Sequence, residues 1–385
     1  MTNLPSSLSV LGSTGSVGTQ SLDVAKTHAI PVDLLTGGSN AALMENQARQ
    51  FLPKAVVMAD ESAAAALKVA LADTPVRVYG GGDAICALVK ETGSEVVVNA
   101  ILGEAGLLPT LAALDSAKRL ALSNKESLVI AGEIIGQRLQ ETGCELLPVD
   151  SEHSAIYQCL KGNRKADVRR LYLTASGGPF FGYTKEQLRT VTLSDTLAHP
   201  TWKMGKKITV DSATMMNKGF EIIEAVHLFG IKAEQIEVLV HRESIIHSAV
   251  EYVDTSVIAQ LAVPDMRTCV AYALTAPERV LGEGSFLDLA KVGKLTFAHP
   301  DEEAFPLLPL AKHAISLGGG IPACLNSANE VAVDAFLKEK ISFCRISDIV
   351  TKAVSFVEKE AAKAVSLEDI LSCAKKARDY AQTIL

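Results

Sequence analysis

Val149-Asp150-Ser151-Glu152-His153 sets two carboxylates at i and i+2, directly after a short apolar run. On an extended or loop segment, Asp150 and Glu152 project to one side and could chelate a hard cation. A solvated surface pair is the plain alternative. The second acidic candidate lies in Asn217-Lys218-Gly219-Phe220-Glu221. On a helix, Lys218 is the i, i+3 neighbour of Glu221, and Asn217 its i, i+4 neighbour. Either Glu221 points inward at a site, or the pair is an ordinary surface salt bridge.

Anion donors cluster nearby. Ser176-Gly177-Gly178-Pro179-Phe180 follows a predicted strand at 171–175, and Asp211-Ser212-Ala213-Thr214 follows a short predicted strand at 208–210. Ser176, Ser212, Asn217 and Lys218 combine neutral donors with one cation, a set that suits a phosphate. Each serine alone would also serve as a cap or turn residue. Between the clusters, His199-Pro200-Thr201-Trp202-Lys203-Met204-Gly205 carries the chain's single tryptophan in a segment bounded by Pro and Gly. Such a segment is either a packed connection or a lid over ligand. Lys125, in Ser123-Asn124-Lys125-Glu126-Ser127, begins a predicted helix at the carboxyl edge of a strand. There it could polarise a substrate oxygen or contact phosphate, or simply sit in solvent.

A glycine loop opens the chain's first βα turn. Gly12-Ser13-Thr14-Gly15-Ser16-Val17-Gly18 lies between a predicted strand and a predicted helix. Glycines there let the backbone approach a pyrophosphate, which the helix N-terminus stabilises. The spacing is GxxGxxG and no GK[ST] follows, which excludes a Walker-type loop. The next strand ends Gly37-Gly38-Ser39-Asn40, without the acid that grips an NAD ribose. Gly38, Ser39 and Asn40 could instead donate to a 2′-phosphate, which favours NADP.

These residues must be positioned by a large fold. The chain has 385 residues, 48% hydrophobic and 21% charged, enough for two or three domains with real cores. Residues 1–150 alternate short apolar strands with helices, the pattern of a Rossmann-like, doubly wound parallel sheet. Residues 151–275 mix strands with a helix at 216–229 and read as an α+β catalytic domain. Residues 276–305 contain Pro277 and Pro300 and read as a linker; 306–385 reads as a C-terminal α-helical domain, with Pro322 in a first turn. The 37 basic residues against 44 acidic give a net charge of −7, which argues against a nucleic-acid partner. Seven scattered cysteines without CxxC suit buried thiols in a reducing compartment. With no apolar stretch near the roughly 20 residues that span a bilayer, no membrane partner is expected and the protein reads as cytoplasmic.

GSTGSVG, SNKESLV, LLPVDSEH, ASGGPF, HPTWKMGKKITVDSATMMNKGFE and PDMRT, in this order, together resemble the 1-deoxy-D-xylulose 5-phosphate reductoisomerase family. The resemblance implies a homodimer whose subunit has an NADPH-binding domain, a catalytic and dimer-forming domain, and a helical tail. It implies metal-dependent, NADPH-linked rearrangement and reduction of a small phosphorylated sugar, 1-deoxy-D-xylulose 5-phosphate, to 2-C-methyl-D-erythritol 4-phosphate. It further implies that Asp150, Glu152 and Glu221 hold Mg²⁺ or Mn²⁺. Lys125 and Ser151 would contact substrate oxygens; Ser176, Ser212, Asn217 and Lys218 would hold its phosphate. His199, Trp202 and Met204 would belong to a closing loop. Thr14, Gly15, Ser16, Val17, Gly38, Ser39, Asn40, Asn124, Glu126 and Gly205 would lie near the cofactor. Ser39 is a departure, since the family often carries a basic residue there, and it loosens the expected grip on the 2′-phosphate. A semialdehyde or acyl-phosphate reductase would share the glycine loop but need a catalytic cysteine. A nucleotide sensor would have no use for the carboxylates and donor clusters.

Overall fold

The structure, a computed structural model, describes residues 4–202, 204–282 and 284–385. Its contacts group the chain into two compact units. One takes residues up to 127 with 135–154 and 265–285; the other takes 128–134, 155–264 and 286–385.

Among the described residues, seven strands build the sheet of the first unit. They are β1 (Leu8–Leu11), β2 (Val32–Gly37), β3 (Ala55–Met58), β4 (Arg77–Gly80), β5 (Val96–Asn99), β6 (Arg119–Leu122) and β7 (Glu145–Pro148), in the order β4-β3-β2-β1-β5-β6-β7. Every pairing is parallel. β1, β2, β3 and β5 are buried along their whole length, as uninterrupted apolar runs require when helices cover both faces. The chain works outward from β1 to β4, then crosses back to β5 on the other side of β1. That reversal is the switch point at which doubly wound sheets bind ligands, and the expected fold class holds.

The first unit also recruits a distant segment, which the sequence breaks at 275 and 305 do not anticipate. Helix Met266–Thr275 packs against helix Ser16–Thr27. The Arg119 guanidinium donates to the carbonyls of Leu274 (3.0 Å) and Ala276 (2.7 Å) while pairing with Glu145 at 2.7 Å. One arginine fork thus satisfies carbonyls at the helix end that have no partner within the helix.

The second unit holds β8 (Val168–Ala175), β9 (Ile236–Val240), β10 (Ile246–Tyr252) and β11 (Val257–Leu261), ordered β11-β10-β8-β9. β8 and β9 are parallel; the other pairs are antiparallel. Helix Met216–Phe229 has its predicted bounds. The strand expected at 208–210 is absent: Ile208, Thr209 and Val210 lie inside helix Lys206–Ala213. Their β-branched side chains suggested a strand, but Thr209 Oγ1 donates back to the Gly205 carbonyl at 2.8 Å, and Val210 is fully buried in the packing of this helix on Met216–Phe229 and Ile321–Leu337. Tertiary contact overrides a three-residue propensity. Helices Ile321–Leu337, Phe343–Ala361 and Leu367–Thr383 pack on one another as the helical tail. Pro322 sits in the first turn of its helix, as expected.

His227 gives this unit a pH-dependent component. Helix Lys125–Thr142 leaves helical geometry at Ala131, and a Cβ at the following Gly132 would lie 2.2 Å from the His227 ring. The imidazole therefore packs directly on backbone, and burial pushes its pKa from 6.5 down to about 4. Because the folded value is the lower one, the unfolded chain binds the proton more readily between those values. The contribution is complete above about pH 6.5 and is lost as the pH falls towards 4. Urea titrations should show stability dropping between pH 7 and 5 by more in the wild type than in His227→Gln. Equal drops would refute the assignment.

Candidate active site

The glycine loop sits where the sheet order reverses. Gly12 has φ +79°, and a Cβ there would lie 2.7 Å from the Ala100 carbonyl oxygen, just beyond β5. At Gly18 a Cβ would lie 2.2 Å from the Gly12 carbonyl, so the helix is pressed onto the turn. Helix Ser16–Thr27 starts at Gly15 with no side-chain cap, and Gly15 and Ser16 are exposed while Thr14 and Val17 are half-buried. Its first N–H groups are left for an anion. Exposed Gly38, Ser39 and Asn40 follow β2, and Asn40 caps helix Ala41–Phe51 by accepting from the Leu43 N–H at 3.1 Å. These features fit a dinucleotide phosphate.

Asn124 and Glu126 are buried. Asn124 caps helix Lys125–Thr142: its carbonyl accepts from the Ser127 N–H at 2.8 Å, and its amide donates to the carbonyls of Ile101 (2.7 Å) and Gly103 (2.9 Å). Within the protein, its side chain therefore staples the loop after β5 to this helix.

Lys125 starts that helix and forms an ion pair with Asp150 at the end of β7. Of the carboxylate pair expected on an extended or loop segment, Asp150 lies on a bend but Glu152 is already helical. Ser151 begins helix Ser151–Leu160, and Asp150 Oδ1 accepts from the backbone N–H groups of Glu152 (3.2 Å) and His153 (3.3 Å). The D-x-E spacing thus straddles a helix start, where an aspartate caps the first turn. The two residues still offer carboxylate oxygens within 4.8 Å of each other, and the Ser151 hydroxyl donates to Glu152. Burial would raise the Asp150 carboxyl, but Lys125 and His153, whose Nδ1 is 3.2 Å away, hold it well below the ordinary carboxylate value. It is kept ionised, the form that ligates metal. His153 was missed in the sequence; its i, i+3 spacing becomes informative only once the segment is helical.

In the second unit, Glu221 is 1% exposed and both its oxygens are engaged, one by the Asn217 amide and the other by the Lys218 ammonium. The predicted helix spacing is realised, and the bland surface reading is excluded by burial, since Lys218 is only 4% exposed. Ser212 lies in helix Lys206–Ala213. A Cβ on Gly178, which has φ +61°, would lie 3.0 Å from the Ser212 carbonyl oxygen, so the glycine brings the 176–178 loop against that helix. Asp211 beside it is gripped by Lys207 and by the Asn329 amide, each at 2.8 Å. Asn329, 118 residues away, had no local signal in the sequence.

His199 Nδ1 accepts from the backbone N–H groups of Thr201 (3.2 Å) and Trp202 (3.0 Å). Its proton therefore sits on Nε2, which faces Ser176 Oγ at 3.0 Å. Burial, with Arg242 adding to it, lowers the His199 pKa and favours this neutral ring. Ser176 Oγ also accepts from the Gly178 N–H at 3.2 Å. With two donors already aimed at its oxygen, the hydroxyl is left to donate its own proton, the role a phosphate needs. Trp202 and Met204 are half-buried, and exposed Gly205 precedes helix Lys206–Ala213.

Cysteine chemistry finds no support. Burial raises all seven thiols, with Cys144 and Cys159 at about 11 and Cys269 and Cys324 at about 12. A reductase working through a thiolate would need the opposite shift.

Family models agree with this geometry along the chain. Residues 8–132 match 1-deoxy-D-xylulose 5-phosphate reductoisomerase, 146–229 match its C-terminal domain, and 261–380 match a DXP reductoisomerase C-terminal domain. Curated relatives named 1-deoxy-D-xylulose 5-phosphate reductoisomerase include one from Phocaeicola vulgatus, 48% identical over 98% of each chain. Another, from Acetivibrio thermocellus, is 51% identical over 90% of this chain and 91% of its own length. The Zymomonas mobilis reductoisomerase in complex with NADPH superposes with a TM-score of 0.92 at 43% identity, covering 99% of each chain. A DOX-P reductoisomerase in complex with NADPH, fosmidomycin and magnesium gives 0.92 at 40% identity, covering 98% of this chain and 97% of that one.

Proposed function

This chain belongs to the 1-deoxy-D-xylulose 5-phosphate reductoisomerase family, and from that premise we propose how its own residues carry the reaction. The protein is an NADPH-linked, metal-dependent oxidoreductase that converts 1-deoxy-D-xylulose 5-phosphate to 2-C-methyl-D-erythritol 4-phosphate. The observation that carries this is near-complete alignment at about half identity with curated reductoisomerases.

In our reading, Asp150, Glu152 and Glu221 hold the divalent cation. Hard carboxylate oxygens suit Mg²⁺ and equally Mn²⁺. When bound, the cation supplies Lewis-acid polarisation of the substrate oxygens, and NADPH supplies the hydride. Lys125, oriented by Asp150, stabilises negative charge that develops on a substrate oxygen, and Ser151 contacts a second oxygen. Ser176, Ser212, Asn217 and Lys218 take the phosphate, whose binding energy orients the distant reacting carbons. His199, Trp202 and Met204 belong to the segment that excludes water. Thr14, Gly15, Ser16 and Val17 receive the NADPH pyrophosphate, with Gly38, Ser39 and Asn40 towards the 2′-phosphate and Asn124, Glu126 and Gly205 nearby. We place the catalytic and dimer-forming functions in residues 151–275 of a cytoplasmic homodimer. The separate helical tail begins near 306. No helix among the described residues is long and apolar enough to cross a membrane.

The test is NADPH oxidation followed at 1-deoxy-D-xylulose 5-phosphate saturation. Consumption is expected with Mg²⁺ or Mn²⁺, loss with EDTA, and recovery when metal is restored. Turnover that persists in EDTA would overturn the carboxylate assignment.

A further inference from the structure

Arg242 stands two residues past β9 and has no place in the machinery assigned above. One guanidinium nitrogen donates to the carbonyls of Ser176 (3.0 Å) and Gly178 (2.6 Å), and the guanidinium lies 5.4 Å from the centre of the Phe181 ring. The loop it grips is otherwise pliant in kind: Gly177 and Gly178 both have positive φ, +76° and +61°. It is also pressed onto the end of β9, where a Cβ on Gly177 would lie 2.7 Å from Val240 Cγ1.

The clamp has a directional consequence. A trans peptide sets its N–H opposite its C=O. Holding the Ser176 carbonyl on Arg242 therefore turns the Gly177 N–H away from the arginine, and keeps the negative carbonyl ends from facing an approaching anion. The same restraint fixes Ser176 itself, whose hydroxyl oxygen is already engaged by His199 and by the Gly178 N–H. Arg242 also lies close enough to His199 to help lower its pKa.

We propose that Arg242 is a positioning residue for the substrate's phosphate: it pins the backbone of the 176–178 loop so that the Ser176 hydroxyl is presented as a donor. The proposal rests on the reading that Ser176 belongs to the phosphate site. Arg242 acts on binding, not on the reacting carbons, so its loss raises KM for the phosphorylated sugar and spares kcat.

The experiment is a double-mutant cycle in the full-length enzyme using Arg242→Met, Ser176→Ala and their combination. Arg242→Met should raise KM for 1-deoxy-D-xylulose 5-phosphate roughly tenfold, the scale of a charge-assisted hydrogen bond, with kcat within about twofold and KM for NADPH unchanged. In the Ser176→Ala background the same change should add less than about twofold, because the clamp works through that residue. If Ser176→Ala raises KM and Arg242→Met does not, the positioning role is overturned while the phosphate site stands. Equal effects in both backgrounds also overturn it. An unchanged KM in Ser176→Ala overturns the phosphate reading and the proposal with it. Where Arg242→Met fails to fold, Arg242→Gln decides, because its shorter neutral side chain does not reach both carbonyls: a raised KM with unchanged kcat supports the clamp, and a wild-type KM overturns it.

Discussion

Glu221→Gln is expected to lower turnover with Mg²⁺ by at least about a hundredfold, while leaving the dissociation constant for NADPH unchanged. The substitution preserves shape at a position that is 1% exposed, so packing is not the cause. It removes the charge that we assign to the cation and that neutralises Lys218. A glutamine oxygen is a poorer ligand for Mg²⁺ and cannot accept the lysine as an ion pair. The fall in kcat should therefore come with weaker apparent Mg²⁺ affinity and a raised KM for the sugar phosphate. NADPH titration by fluorescence isolates the cofactor step. Near-normal kcat at ordinary Mg²⁺ would remove Glu221 from the ligand set.

Asp150→Asn should be at least as severe, because this carboxylate serves three partners at once. It pairs with Lys125, approaches His153, and caps helix Ser151–Leu160. Taking the charge from a partly buried ion pair leaves the ammonium less compensated and shifts it towards its neutral form. Activity should fall by roughly a thousandfold, the combined loss of a metal ligand and of an oriented lysine. Thermal unfolding should also begin a few degrees lower, since asparagine keeps the cap but not the pair. Restoring full activity with excess Mg²⁺ would show that Lys125 needs no help from Asp150, and would sink that half of the account.

Much of this site was legible because its signals are local. The glycine loop shows its strand, turn and helix within one short stretch, and the Asn217–Lys218–Glu221 spacing needs only a helix to become a cluster. Two local readings nevertheless misled. Ile208, Thr209 and Val210 carry strand-forming side chains but lie in a helix buried by its neighbours. Asp150 and Glu152 looked like a loop pair, although the aspartate is the cap that starts the helix. What stayed invisible is the support at long range: Asn329 behind Asp211, and Arg242 behind Ser176, 66 residues apart. No periodicity encodes such pairs; only the fold brings them together.

The return of residues 265–285 to the first unit bears on how the protein is made. Strand β7 ends at Pro148, yet the helix that docks on the seven-stranded sheet begins at Met266, 266 − 148 = 118 residues later. At a synthesis rate of about 5–20 residues per second, the sheet waits roughly 6–24 s for it. Throughout that interval Arg119 lacks its Leu274 and Ala276 acceptors, and the apolar surface meant for the docking helix has no cover. A polypeptide cut near residue 150 would carry the glycine loop but remain permanently in that unfinished condition. The first unit is therefore completed late in translation, and it is a poor candidate for transplantation as a simple N-terminal module.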